Sequence, residues 1–146
     1  MRLTVTLLAL LSSCLATSTA HGGHALGLRA GGLDGAYVGA EWQTQSRLGT
    51  AILSPSLDAS FGDFDATALN LDLRWDLLPV FDTGILLYGK AGPTLLFADQ
   101  NSEIGLSLTA AADIGMRRGR SLHVEWRFGL GNIPDRKLGV TFMFPL

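Results

Sequence analysis

His123 is the side chain in this sequence best placed to take part in catalysis. Ser121 lies two residues before it and Glu125 two residues after it, so in a β-strand all three side chains project from one face. A serine, a histidine and a carboxylate in mutual contact are the groups that nucleophilic catalysis requires. The same three residues also suit a buried network of hydrogen bonds, and we favour that interpretation over a catalytic site.

The other two histidines, His21 and His24, enclose two glycines near the start of the chain. They supply two ligands of a metal site and have no third ligand nearby, whereas zinc sites use three or four protein ligands. The stretch from Gly27 to Gly32 is rich in glycine but does not open a helix, so it is no phosphate-binding loop. The sequence therefore predicts neither a metal nor an organic cofactor.

The first twenty residues have the layout of a secretory signal peptide. Arg2 gives a positively charged start, residues 3–11 are an apolar stretch, and Ser18-Thr19-Ala20 is a small-x-Ala cleavage site. Spanning a bilayer as a helix takes about 20 apolar residues, so this stretch is too short to do so. We predict a signal peptide at residues 1–20 and a single mature domain at residues 21–146.

An alternative for the leader comes from Leu11-Ser12-Ser13-Cys14, which resembles a bacterial lipobox and would make Cys14 a lipidation site. In either case the protein is exported from the cytoplasm. Cys14 is the only cysteine, so cleavage after Ala20 would exclude both disulfides and cysteine catalysis from the mature domain.

Composition narrows the class of protein further. The net charge is -2, so no basic surface is available for nucleic acid. Hydrophobic residues make up 47% of the chain and charged residues 16%, which leaves too little charge to cover a water-soluble surface of this size.

Apolar and polar residues alternate with period two along most of the mature domain, the pattern of β-strands. The alternation is clearest in residues 66–76, 104–116, 121–130 and 138–146. In residues 83–98 both alternate sets contain apolar residues, so which set faces inward stays open. In residues 47–64, Ser54-Pro55 breaks the run; we predict one strand there and leave open which half forms it. Turn residues separate these segments at 32–35, 44–50, 62–63, 78–84, 99–102, 117–120 and 131–135. The sequence therefore predicts an all-β, up-and-down antiparallel transmembrane barrel of eight strands.

The polar face of these strands indicates which side is inside. It combines small residues with isolated charges of both signs, which suits a narrow lumen where opposite charges pair. The apolar face carries unbroken columns such as Leu69, Leu71 and Leu73, which suit lipid. We predict a lumen network of Arg29, Glu41, Asp72, Arg74, Asp113, His123, Glu125 and Arg127.

Aromatic residues fall near the ends of the predicted strands, as interfacial girdles do in membrane barrels. If the C-terminal end of the last strand lies at the periplasmic side, the lower interface carries Trp42, Trp75 and Phe144. The upper interface carries Phe61, Phe97 and Phe128.

The last nine residues, Leu-Gly-Val-Thr-Phe-Met-Phe-Pro-Leu, resemble the terminal strand that bacterial outer-membrane barrels present to their assembly machinery. Residues 124–130, with Ile133-Pro134-Asp135, resemble the closing hairpin of the small outer-membrane β-barrel proteins. This resemblance implies an eight-stranded barrel in the bacterial outer membrane, with membrane lipid and the barrel assembly machinery as partners. The chain departs from the family at its end, because Pro145-Leu146 stands where the family usually has Phe or Trp.

The functional interpretation is an integral outer-membrane protein, monomeric, with a structural or interaction role. The interior of an eight-stranded barrel is about filled by its own side chains, so no wide pore is expected. Two alternatives stay open, a lipid A-modifying barrel enzyme and a soluble periplasmic ligand-binding barrel. Lipid A deacylases carry His and Ser close together on late strands, but Val124-Glu125 follows His123 here and no His-x-Ser is present.

Overall fold

The computed structural model of the chain describes residues 24–33, 35–61, 65–98, 101–131, 133 and 136–146. The predicted signal peptide, Cys14 and His21 lie outside the described residues. None of the helical structure in the described ranges is long and apolar enough to cross a membrane.

Nine β-strands and one short 3-10 turn account for most of the described chain. They are β1 (Ala25–Leu33), β2 (Ala36–Gln43), β3 (Arg47–Leu48), β4 (Ala51–Phe61), β5 (Ala66–Val80), β6 (Ile85–Ala98), β7 (Asn101–Gly115), the 3-10 turn (Arg117–Gly119), β8 (Ser121–Leu130) and β9 (Arg136–Pro145). β3 is a two-residue strand that pairs with the start of β4.

The other eight strands form a closed barrel. Each pairs antiparallel with its neighbours in the chain, β2 pairs with β4, and β1 closes the circle by pairing with β9. Both described ends meet at this seam, where the backbone N–H of Leu146 donates to the carbonyl of His24 at 2.9 Å. The predicted all-β, up-and-down barrel of eight strands is confirmed.

The barrel has two rims. The lower rim is the end of the barrel where β1 begins and β9 ends; the upper rim is the end where β1 ends and β9 begins. Trp42 and Phe144 both pair with Leu26 and lie at the lower rim, with Trp75 also toward that end. Phe97 and Phe128 lie at the upper rim, opposite the first residues of β7 and β9.

β4 runs through Pro55 without a break, so the interruption predicted there is wrong. The backbone N–H and C=O of Leu53 bond to Ser46 and Thr44, and Pro55, two residues further on, turns toward the same side. The ladder between β2 and β4 ends at the pair of Glu41 and Ser56. Since no ladder hydrogen bond is required at Pro55, the missing N–H costs the sheet nothing.

The hairpin of β5 and β6 extends further than the sequence predicts, because strand structure continues through Leu78 and Pro79 to Val80. A register shift between Asp76 and Leu78 re-aligns the two strands, and the turn itself is confined to residues 81–84. The last β4 partner of β5 is Ile52, opposite Arg74. The last residues of β5, from Trp75 to Val80, therefore extend beyond β4 and pair with β6 alone, while β6 stays paired with β7 down to Ile85.

Side chains segregate by face as a transmembrane barrel requires. In β6, Tyr88, Lys90, Thr94 and Leu96 are buried in the interior, which settles the facing that the sequence left open. The outer surface carries exposed apolar side chains on every side of the barrel. They include Leu28, Val38, Leu71, Ile104, Leu106, Leu108, Trp126, Leu138 and Val140.

Candidate functional site

The lumen is the part of the molecule in which polar groups converge. Among the described residues it holds five cationic and five anionic side chains. The cations are Arg29, Arg74, Lys90, Arg127 and Lys137, and the anions are Glu41, Asp58, Asp72, Asp113 and Glu125. All are buried except Asp113, whose side chain is 20% exposed at the lower end. Equal numbers of the two signs leave the lumen without net charge, which is needed because an unpaired ion away from water costs several kcal/mol.

The eight residues that alternation assigned to the lumen all project into it and belong to this network. Asp58, Lys90, Lys137 and Tyr88 also belong to the network and are not among the eight. Lys90 and Tyr88 lie in the segment with apolar residues on both faces, and Asp58 in the segment interrupted by Pro55. Lys137 could have been found, because it alternates with the outward-facing Leu138.

The centre of the lumen is organised around Lys90. Its Nζ lies 2.6 Å from Oε1 of Glu41 and 2.6 Å from Oε1 of Glu125. Arg29 approaches the same two carboxylates from β1, with Nη2 at 2.8 Å from Oε2 of Glu125 and Nη1 at 3.5 Å from Oε2 of Glu41. Ser54 donates a further hydrogen bond to Glu41 at 2.7 Å. Each carboxylate is thus shared between two cations.

One atom of each of Glu41, His123 and Glu125 lies within 4.8 Å of the other two, a spacing compatible with a metal ion. The ammonium group of Lys90 already bonds to both of these carboxylates. The donor set is therefore neutralised by a side chain, and the arrangement is that of an ion network.

A second cluster fills the upper half of the lumen around Asp58 and Asp72. Asp72 pairs with Nη2 of Arg127 and accepts a hydrogen bond from Ser107 at 3.0 Å. Asp58 lies 3.3 Å from Nε of Arg29 and 3.9 Å from Nζ of Lys137. Arg29 therefore links the central cluster to the upper one.

The lower cluster is built on Arg74, which makes three polar contacts. Its Nη2 lies 3.1 Å from Asp113, its Nε lies 2.9 Å from Asp76, and its Nη1 donates to Gln43 at 3.2 Å. The guanidinium also lies over the ring of Tyr88, 4.0 Å from its centroid. Cation and aromatic face attract at this distance, so Arg74 is fixed at the lower mouth.

His123 joins the lower cluster to the centre. Tyr88 donates its hydroxyl hydrogen to Glu125 at 2.7 Å, so its oxygen is left to accept from Nδ1–H of His123 at 2.9 Å. Ser121 Oγ lies 2.9 Å from Nε2 of the same ring. Asp113 also lies 3.2 Å from the same Nε2.

This geometry differs from a serine–histidine–acid triad at two points. In a triad the acid bonds to Nδ1, but here Tyr88 occupies that position and Glu125 reaches His123 only through the tyrosine. The carboxylate of Asp113 lies 3.2 Å from the Nε2 that Ser121 contacts, whereas a triad places the serine alone at that nitrogen. The group also faces the lumen, because its members alternate with lipid-facing residues of β8. The arrangement fits a polar network better than a nucleophile.

Ile133, from the connection between β8 and β9, packs into the upper end of the lumen. It is buried against Ala66, Ala68 and Leu96. Gly105 and Gly129 leave the room it needs, since a Cβ at either position would overlap with Ile133. We call this group of five residues and Ile133 the upper plug.

Comparison with solved structures adds an independent observation on the fold. The N-terminal β-barrel domain of OprF from Pseudomonas aeruginosa matches with a TM-score of 0.62 at 12% identity, covering 85% of this chain and 100% of that one. The chain has the fold of the small outer-membrane β-barrels. The outer-membrane enzyme PagL matches with a TM-score of 0.54 at 14% identity, covering 84% of this chain and 99% of that one.

The resemblance of residues 124–146 to the small outer-membrane barrels is therefore confirmed at the level of the fold. No protein-family model matches the sequence, and no curated protein is detectably similar to it. At 12% and 14% identity the likeness shows the architecture alone, because one fold supports many functions.

Proposed function

We propose that this protein is an integral outer-membrane barrel with a structural or interaction role, exported by its N-terminal signal peptide and inserted as a monomer. The observation that carries the proposal is the distribution of polarity. Leu28, Ile104, Leu106 and Leu138 are each at least half exposed on the outer surface, while the charges are buried inside. A water-soluble barrel needs the reverse arrangement, so the apolar exterior favours lipid as its surroundings.

The filled lumen supports a structural role over transport. Ion pairs occupy its lower, central and upper parts, and the side chains of the upper plug pack above them. A porin-type channel requires an open aqueous interior, which larger barrels provide.

The C-terminal strand supports the barrel assembly machinery as a partner. β9 presents Leu138, Val140, Phe142 and Phe144 on its outer face, and the last two rings pack edge to face at 4.7 Å between centroids. This face is continuous with the apolar exterior, so it would be available before the barrel closes on β1.

Membrane fractionation tests the proposal. We expect the protein in the outer-membrane fraction, resistant to extraction by carbonate or salt, and migrating faster on a gel before boiling than after it. Release by carbonate, with no change of mobility on boiling, would show that the protein is not an integral barrel. Intact mass of the mature chain separately distinguishes cleavage after Ala20 from lipidation at Cys14.

A lipid-modifying enzyme is the second candidate, and the contact of 2.9 Å between Ser121 Oγ and His123 Nε2 favours it. The matched variants are Ser121→Ala and Ser107→Ala. Ser107 is a lumen serine that bonds to Asp72 and pairs with Gly129, six residues along β8 from His123. His123→Ala is the third variant, and the structural role predicts no fatty acid released from lipopolysaccharide by the parent or by any of the three variants. Release that Ser121→Ala and His123→Ala lose and Ser107→Ala keeps would establish the enzyme instead.

A further inference from the structure

Exposed charges are distributed unequally between the two rims. Among the described residues, the exposed cations at the lower rim are Arg47, Arg117, Arg118 and Arg120, and the upper rim has Arg136. Exposed anions at the lower rim are Asp76, which bonds to Arg74, and Asp82. Three of the four lower cations lie within four consecutive residues, so this rim has one dense positive site.

We call residues 116–120, between β7 and β8, the basic turn. The backbone N–H of Met116 donates to the carbonyl of Arg120 at 2.8 Å and closes it. Arg118 has φ 64 and Gly119 has φ 71, so an arginine holds a left-handed conformation that residues with side chains disfavour. Gly119 lies against Pro145, since an added Cβ would be 3.5 Å from its Cγ. The turn is therefore held against the end of β9.

Arg120 shows toward which side the basic turn faces. Its guanidinium carbon lies 5.9 Å from the ring centroid of Phe144. Phe144 alternates with the buried Thr141 and Met143, so its ring is on the outer surface. The arginine consequently lies where the apolar exterior meets the rim, the depth at which lipid headgroups begin.

We propose that the basic turn binds the phosphate headgroups of anionic phospholipids in the leaflet at the lower rim. Guanidinium groups pair with phosphate through two parallel hydrogen bonds, and the three arginines lie close enough in sequence to act on one or two headgroups together. The position of Arg120 on the lipid-facing side selects membrane lipid over a soluble phosphate. The inference rests on the proposed insertion into a bilayer.

Spin-labelled lipids test this in the refolded full chain. The protein is reconstituted in phosphatidylcholine vesicles with labelled phosphatidylglycerol or labelled phosphatidylcholine, and the motionally restricted fraction of each label is measured. The test variant is Arg117→Gln/Arg118→Asn/Arg120→Gln, in which asparagine tolerates the left-handed position. The control is Arg47→Gln/Arg136→Gln, which removes exposed arginines outside the basic turn.

We expect the parent and the control to prefer the anionic label by about threefold, and the test variant to show a ratio of about one, because each arginine near the surface attracts anionic lipid. Unchanged preference in the test variant, or an equal loss in the control, would overturn the inference. If sodium phosphate reduces the preference of the parent for the anionic label more than sodium chloride of equal ionic strength does, the basic turn is a site for free phosphate and the inference is overturned.

Flotation and heat-modifiable mobility of the same samples separate this inference from the proposed function. A chain that does not float with the vesicles overturns both. A floating, heat-modifiable barrel without lipid preference overturns the lipid site alone.

Discussion

Lys90 bonds to Glu41 and Glu125 at 2.6 Å each. Without it, Arg29 would be the only cation among the described residues paired with these two buried carboxylates. We expect Lys90→Met to lower the free energy of unfolding in detergent by about 3 kcal/mol or more, the usual cost of breaking a buried ion pair from one side. Adding Glu41→Gln should recover part of the loss, since one negative charge is removed. Urea titration monitored by gel mobility or fluorescence measures both.

Asp72 and Arg127 provide the corresponding test in the upper half of the lumen. Asp72→Leu leaves the guanidinium of Arg127 without its closest carboxylate, and Arg127→Leu leaves Asp72 with Ser107 as its bonded partner. Both single variants should unfold at lower denaturant concentration than the parent in detergent. The exposed Arg136→Gln is the control, with an expected change within about 0.5 kcal/mol. If both leucine variants unfold like the parent, the lumen network does not stabilise the barrel.

At the scale of the element, β4 accommodates a proline, Pro55, at a position where the sequence predicts a break in the strand. Leu57 lies two residues further along β4 and faces β2 as Pro55 does, but it pairs there with Ala40. We expect Leu57→Pro to cost about 1–3 kcal/mol, because it removes a ladder hydrogen bond and leaves its acceptor unpaired. Pro55→Ala should leave stability nearly unchanged. Equal effects of the two substitutions on urea unfolding would contradict this account of β4.

How far the sequence predicts an element depends on whether its two faces differ in polarity. β5, β7, β8 and β9 were assigned from alternation because their lumen faces are polar for most of their length. β6 was ambiguous because Leu96 faces the lumen in the upper plug while Leu87 and Leu95 face outward. Apolar side chains inside the lumen are found where it closes, and alternation alone does not reveal that position.

The partners within the network could not be predicted, although most of its members could. Arg29 and Glu125 are separated by 96 positions in the chain and meet through the closure of β1 on β9. Which charges lie at the same height along the barrel axis depends on how far each strand is offset (its stagger) against its neighbours around the barrel. The bulge after Asp76 alters that stagger between β5 and β6.

At the scale of the whole molecule, two separate groups of side chains pack across the lumen, one above the other. The upper plug is apolar, and the ion pairs of Lys90, Glu41, Glu125 and Arg29 lie beneath it. Removing one group leaves the other in place. The molecule as a whole should therefore resist ion flow even when the plug is weakened.

Planar-bilayer recordings check this expectation. The parent should show no steady conductance of the size that porins give, because no continuous water column fits between the packed side chains of a barrel this narrow. Ile133→Ser should remain closed, since the buried pairs around Lys90 still fill the centre. The double variant Ile133→Ser/Lys90→Ala should leak if it folds, which heat-modifiable mobility establishes beforehand. A steady open channel in the parent would contradict a filled lumen, and one in Ile133→Ser alone would show that the plug is its only seal.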